Sequence, residues 1–210
     1  MDSVRGALVI ACGALAREIA ALRRVNGWAD LDVCYLPPQL HNRPERIAHE
    51  VQLQIRAHRE RYQRILVAYG DCGTGGGLDA MLRTEGVERI PGAHCYEFFA
   101  SPAVFAALAD AEPGTFYLTD FLVRHFDQLV VRSLGLDRHP ELAPMYFGNY
   151  RRVVYLAQAP SEASLSKAQA IAARLQLQFQ FQFTGYGGLA SRLHELVRPT
   201  GPVSADAWQA

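Results

Sequence analysis

Four cysteines are spread along the sequence, and three of them stand beside glycine or histidine: Cys12 before Gly13, Cys72 before Gly73, and Cys95 after His94. A histidine, His41, lies in the polar stretch that follows Pro37-Pro38. Thiolate sulfur and imidazole nitrogen are the donors a tetrahedral zinc ion takes, and three Cys with one His is a common ligand set. Cys12, His41, Cys72 and Cys95 are therefore the candidate metal ligands, with zinc the expected ion; Cys12, His41 and Cys72 come first, and Cys95 or a water takes the fourth position. No close C-x2-C pair is present, so the fold must bring these residues together. Packing is the competing reading, because unpaired Cys is among the most buried residue types. It is the preferred one for Cys34, which falls inside an apolar segment. A metal-free nucleophile is a third reading, in which Cys12 or Cys72 at a helix N-terminus has a lowered pKa and His94 serves as its base.

The elements that must position these residues follow from hydrophobic patterning. Residues 6–11 (Gly-Ala-Leu-Val-Ile-Ala) form a continuous apolar run, the pattern of a strand buried on both faces of a parallel sheet. Residues 14–24 continue as a helix. Residues 31–36 and 64–69 repeat the strand pattern, with a helix over 45–62 between them that Pro44 opens. Further strands are expected at 93–99, 114–120 and 152–156, and helices at 78–84, 101–108, within 120–136, and at 162–175. Residues 175–183 alternate strictly between Leu or Phe and Gln, as a half-exposed strand near a sheet edge does; a helix to Val197 follows. The sum is an α/β, three-layer Rossmann-like fold with a mostly parallel sheet, in one domain over 1–198 with a loose tail over 199–210. Gly-Gly-Leu occurs at 76–78 and again at 187–189, which raises the expectation of two similar halves.

In such a sheet, ligands gather outside the carboxyl ends of the strands. Cys12, His41, Cys72 and Cys95 all fall at or just past predicted strand ends, on one edge. The loop Gly70-Asp71-Cys72-Gly73-Thr74-Gly75-Gly76-Gly77 adds a second signal, since glycines let backbone approach a ligand and the next helix offers free N–H groups to an anion. A flexible turn with its own helix cap explains it equally. Without a Lys after the glycines the loop is no Walker A motif, and it is not the G-x-G-x-x-G of a first βα unit. Gly70, Asp71, Gly73, Thr74 and Gly75, joined by His94, Thr115 and Tyr117, are the candidate ligand-binding residues.

Composition narrows the function classes. Lys+Arg and Asp+Glu both number 21, so the formal net charge is zero and there is no basic surplus for nucleic acid. No apolar run approaches the roughly 20 residues that span a bilayer. A cytoplasmic location is expected, where thiols stay reduced and scattered Cys do not form a disulfide frame.

The blocks Ile10-Ala11-Cys12-Gly13-Ala14-Leu15-Ala16-Arg17-Glu18, Leu40-His41, Tyr69-Gly70-Asp71-Cys72-Gly73, His94-Cys95 and Gly114-Thr115-Phe116-Tyr117-Leu118-Thr119 resemble, in order and spacing, the family catalogued as domain of unknown function 1638. The resemblance covers most of the chain. It departs at Glu97-Phe98-Phe99 and at the run of three glycines. It implies Cys12, His41, Cys72 and Cys95 as a metal set, and a setting beside corrinoid-dependent methyltransferases of the trimethylamine type. The expected function is thus a zinc site in one-carbon (methylamine or betaine) metabolism, performing methyl or thiol transfer on a small molecule, with corrinoid reached only through a partner. The alternative is a non-catalytic partner of a corrinoid protein or methyltransferase, docking through residues 146–150 (Tyr-Phe-Gly-Asn-Tyr).

Overall fold

A computed structural model describes residues 5–198; the tail expected over 199–210 lies outside them. The fold is α/β and Rossmann-like, and every strand pairing described is parallel. The strands divide between two sheets, where one was expected. The first holds β1 (Arg5–Cys12), β2 (Leu31–Leu36), β3 (Tyr62–Ala68) and β4 (Glu88–Arg89) in the order β2-β1-β3-β4. The second holds β5 (Thr115–Thr119), β6 (Arg152–Ala157) and β7 (Gln178–Phe183) in the order β5-β6-β7.

The unbroken apolar runs sit where both faces are covered. Val9, Ile10, Ala11 and Cys12 of β1 have no exposed surface, and neither do Val153 to Ala157 of β6. The alternating run becomes β7 at the edge of the second sheet, with Phe181 and Phe183 exposed. Helices α1 (Ala16–Asn26), α2 (Ile47–His58) and α3 (Gly77–Glu85) supply Ile19, Val51 and Leu78 to the first core. Helix α4 (Pro102–Ala111) begins where expected, with Ser101 accepting from Val104 N–H. Helix α5 (Asp120–Phe126) runs on into a π-helical turn at Asp127–Arg132, and α6 (Ala143–Phe147) and α7 (Glu162–Arg174) complete the second core.

Helix α8 (Gly187–Val197) follows β7 but packs on the first sheet, burying Leu189, Leu193 and Leu196 there. This crossing needs glycine at 187. Its φ is +43°, and a Cβ would stand 2.1 Å from the Phe99 carbonyl oxygen. The two Gly-Gly-Leu matches thus both open helices that close on the first core.

The strand expected at 93–99 does not form. Cys95–Phe98 is a 3-10 turn that begins with the Glu97 carboxylate accepting from His94 N–H at 2.9 Å. The fourth strand is instead the polar pair Glu88–Arg89, which carries no apolar signature.

Candidate metal centre

The carboxyl ends of β1 and β3 set two of the sulfurs. Cys12 ends β1, and its Sγ accepts from Ala14 N–H at 3.4 Å, capping the 3-10 turn Gly13–Leu15. Past β3 the chain enters Gly70, where a Cβ would come within 2.7–2.9 Å of the His94 backbone. Only glycine lets residues 70–72 lie along 92–95. There Asp71 N–H donates to Gly92 at 3.0 Å and Cys72 N–H donates to Ala93 at 2.8 Å. That pairing brings Cys72 Sγ and Cys95 Sγ to 3.4 Å from each other, and Gly70 N–H donates to Cys95 Sγ at 3.4 Å. Cys72 itself has φ +50°, a left-handed conformation that side chains rarely adopt and that clusters at functional positions.

His41 comes from the 3-10 turn Pro38–Asn42 after β2. Although His41 as a residue is exposed, its Nδ1 lies 3.8 Å from Cys12 Sγ and 3.1 Å from the Pro38 carbonyl oxygen. The ligand atoms of His41, Cys72 and Cys95 all lie within 4.8 Å of one another. His41 also stacks on Tyr69, which is fully buried.

Electrostatics follow from this crowding. Cys72 is pulled down to about 4, first by accepting the Cys95 S–H and then by His41, against the opposing effect of burial. Cys12 falls to about 5 for the same reasons. Cys95 is pushed well above the usual thiol range, because its proton serves both neighbouring sulfurs and its surroundings are buried. Burial alone would lower His41, but the Cys12 and Cys72 sulfurs outweigh it and raise the imidazole to about 11. Two thiolates, one thiol and one imidazolium thus share a small volume. Once the imidazolium and the thiol give up their protons, thiolate sulfur and neutral imidazole nitrogen are donors a zinc-like ion selects over magnesium or calcium.

The remaining candidates separate into two groups. His94, Thr115 and Tyr117 line a cavity of about 350 Å³ that also reaches His41, Cys72 and Cys95. His94 stacks on Tyr96 at 4.8 Å, and the imidazole beside the sulfurs is that of His41. Thr115 Oγ1 is occupied, accepting from Arg152 at 2.8 Å and donating to the Glu112 carbonyl at 2.5 Å. Gly70, Asp71, Gly73, Thr74 and Gly75 do not line the cavity. Their loop carries its own anion: the Asp71 carboxylate accepts from Thr74 Oγ1, from Gly75 N–H at 3.1 Å and from Gly76 N–H at 2.9 Å. These bonds hold Asp71 below the usual carboxylate range, the Thr74 hydroxyl contributing most.

Cys34 donates to Gln54 at 3.4 Å and stands apart from the cluster. Of the proposed docking stretch, Tyr146 is exposed, Phe147 is buried, and Tyr150 turns into the cavity. Phe99, Phe116, Phe121 and Tyr150, scattered in sequence and so without a local signal, meet on the cavity wall. Larger hollows open at the amino-terminal end of β3, away from the sulfurs.

These features define an α/β protein with a His/Cys/Cys group that could hold a metal at the carboxyl ends of its strands. The chain matches the family described as protein of unknown function (DUF1638) over residues 35–193, and it belongs to that family. No curated protein matches it. Among the described residues, no helix is long and apolar enough to cross a membrane.

Proposed function

We propose that this protein carries a zinc ion held among Cys12, His41, Cys72 and Cys95, and that the ion acts on a small molecule in the adjoining cavity. The observation that carries the reading is the convergence of the His41, Cys72 and Cys95 donors within 4.8 Å, from three separate loops. The left-handed backbone of Cys72 supports it, since a non-glycine residue held in that conformation is a strain that clusters at functional positions. A bound zinc would lower the pKa of a thiol or water at an open position, which suits methyl or thiol transfer. The family resemblance gives this a setting in corrinoid-linked methylamine or betaine metabolism, with any corrinoid carried by a partner protein and a cytoplasmic location. The test is metal analysis of protein purified without added metal. One zinc per chain is expected, lost in Cys72→Ser and Cys95→Ser; absence of stoichiometric metal from the wild type overturns the reading.

The lowered thiol pKa values favour one alternative, a metal-free cysteine transferase or hydrolase. In that case the metal-free wild type is alkylated rapidly at Cys12 or Cys72 near neutral pH, and zinc protects neither.

A further inference from the structure

We infer that only His41, Cys72 and Cys95 ligate the ion, that its fourth position opens into the aromatic cavity, and that this position takes a small uncharged thiol. The inference rests on the metal reading above and assigns the four candidate residues different tasks.

The assignment begins with His41. A carbonyl oxygen only accepts, so the 3.1 Å contact with Pro38 requires the proton on Nδ1. In the neutral ring Nε2 then carries the lone pair and is the metal donor. A hydrogen bond from the other ring nitrogen to a backbone carbonyl is the usual way a ligating histidine is held. Cys12 Sγ lies 3.8 Å from that same Nδ1, so it faces the protonated nitrogen rather than the ligating one. It also accepts from Ala14 N–H, and it has no exposed surface. Cys12 is a positioning residue that steadies the His41 ring.

The cavity confirms the division geometrically: His41, Cys72 and Cys95 are on its wall, and Cys12 is not. Two thiolates and one imidazole with an exchangeable fourth position make a catalytic ligand set, whereas four protein ligands make a structural one. What enters from the cavity side is constrained by the wall. Phe99, Phe116, Tyr117, Phe121, Leu129 and Tyr150 contribute to it, and among the described residues no Asp, Glu, Lys or Arg does. A ligand bearing a formal charge would lose hydration there without a carboxylate, ammonium or guanidinium to pair it. The Tyr117 hydroxyl on this wall is buried with no hydrogen-bond partner at ordinary distance among the described residues. The volume of about 350 Å³ is at the small end of ligand pockets. A soft ion at the mouth prefers sulfur. The occupant is therefore a compact aromatic or alkyl thiol, which loses its S–H proton to solvent as the sulfur joins the ion.

Cobalt(II) substitution tests this, because sulfur-to-cobalt charge-transfer absorption grows with the number of coordinated sulfurs. The expected wild-type band corresponds to two sulfurs and is unchanged in Cys12→Ser and in Cys12→Ala. Added benzyl mercaptan raises it by about half, from two sulfurs to three. Thioglycolate, whose carboxylate would be buried unpaired, needs at least about tenfold more to reach the same change. If Cys12 is a ligand, its replacement lowers the band by about a third and benzyl mercaptan adds a sulfur only to the variants; either result overturns the inference while leaving the metal reading intact. Equal binding of the two thiols overturns the ligand class. Failure of the wild type to bind cobalt or zinc at all overturns both readings together. Far-UV circular dichroism confirms that the two Cys12 variants are folded.

Discussion

Gly70→Ala should disturb the fold and the proposed metal centre together. The added Cβ would meet the C, Cα and N atoms of His94 at 2.7, 2.8 and 2.9 Å, and backbone cannot swing aside as a side-chain end can. Overpacking of this kind costs about 1–3 kcal/mol. Separating the two segments also endangers the Asp71-to-Gly92 and Cys72-to-Ala93 hydrogen bonds, each worth about 1 kcal/mol. The expected loss of stability is about 3–5 kcal/mol. Because Cys95 rides on the segment that must move, the proposed zinc site should lose affinity as well, by about 10–100-fold as for other disturbed ligand supports. Gly75→Ala is the control: its φ is +61° with no atom within 4 Å of the new Cβ, so only the left-handed backbone cost of roughly 1–2 kcal/mol applies and zinc binding is unchanged. Urea unfolding and competitive zinc titration measure both quantities. If the two variants prove indistinguishable in stability and affinity, the argument that Gly70 brings Cys72 and Cys95 together is refuted.

Two further substitutions probe the joint between the two sheets. Gly187→Ala drives a Cβ to 2.1 Å from the Phe99 carbonyl oxygen and should unseat α8, costing more than about 3 kcal/mol, which for a chain of this size lowers Tm by at least about 6 °C; a Tm within about 2 °C of wild type in a thermal scan would show that α8 does not depend on this contact. Glu18 of α1 is buried, with Arg124 of α5 at 3.7 Å and one carboxylate oxygen lacking any partner among the described residues, and burial raises its pKa above the usual 4.5. The folded state then binds this proton more tightly than the unfolded state, so the contribution is full below about pH 4.5 and is lost as pH rises through the raised value. Glu18→Gln should flatten that decline in denaturant titrations carried upward from pH 4.5; parallel pH profiles for the two proteins would contradict it.

The parts of the fold that were legible in sequence are those whose signal is local. An unbroken apolar run ending at Cys12-Gly13 or at Tyr69-Gly70 encodes a doubly covered strand and the place where it stops, so the sulfurs of Cys12 and Cys72 were located from residue type alone. The sequence pattern places Cys95 near a fourth strand, whereas a 3-10 turn carries it to the same edge, set by Glu97 reaching back to His94 N–H and by the missing Cβ at Gly70. The division into two sheets was not legible, because which strands pair is decided by partners far along the chain, and the same holds for α8 returning to the first core. The glycine-rich loop teaches the complementary lesson. Its free N–H groups suggest an external anion, yet the acceptor lies in the loop itself: the Asp71 carboxylate accepts from Thr74 Oγ1 and from the Gly75 and Gly76 N–H groups. With that loop satisfied internally, the polar chemistry left to the molecule is concentrated where His41, Cys72 and Cys95 meet a wall of uncharged aromatic side chains. A site so placed selects its ligand by shape and softness more than by ion pairing, because no Asp, Glu, Lys or Arg lines its wall.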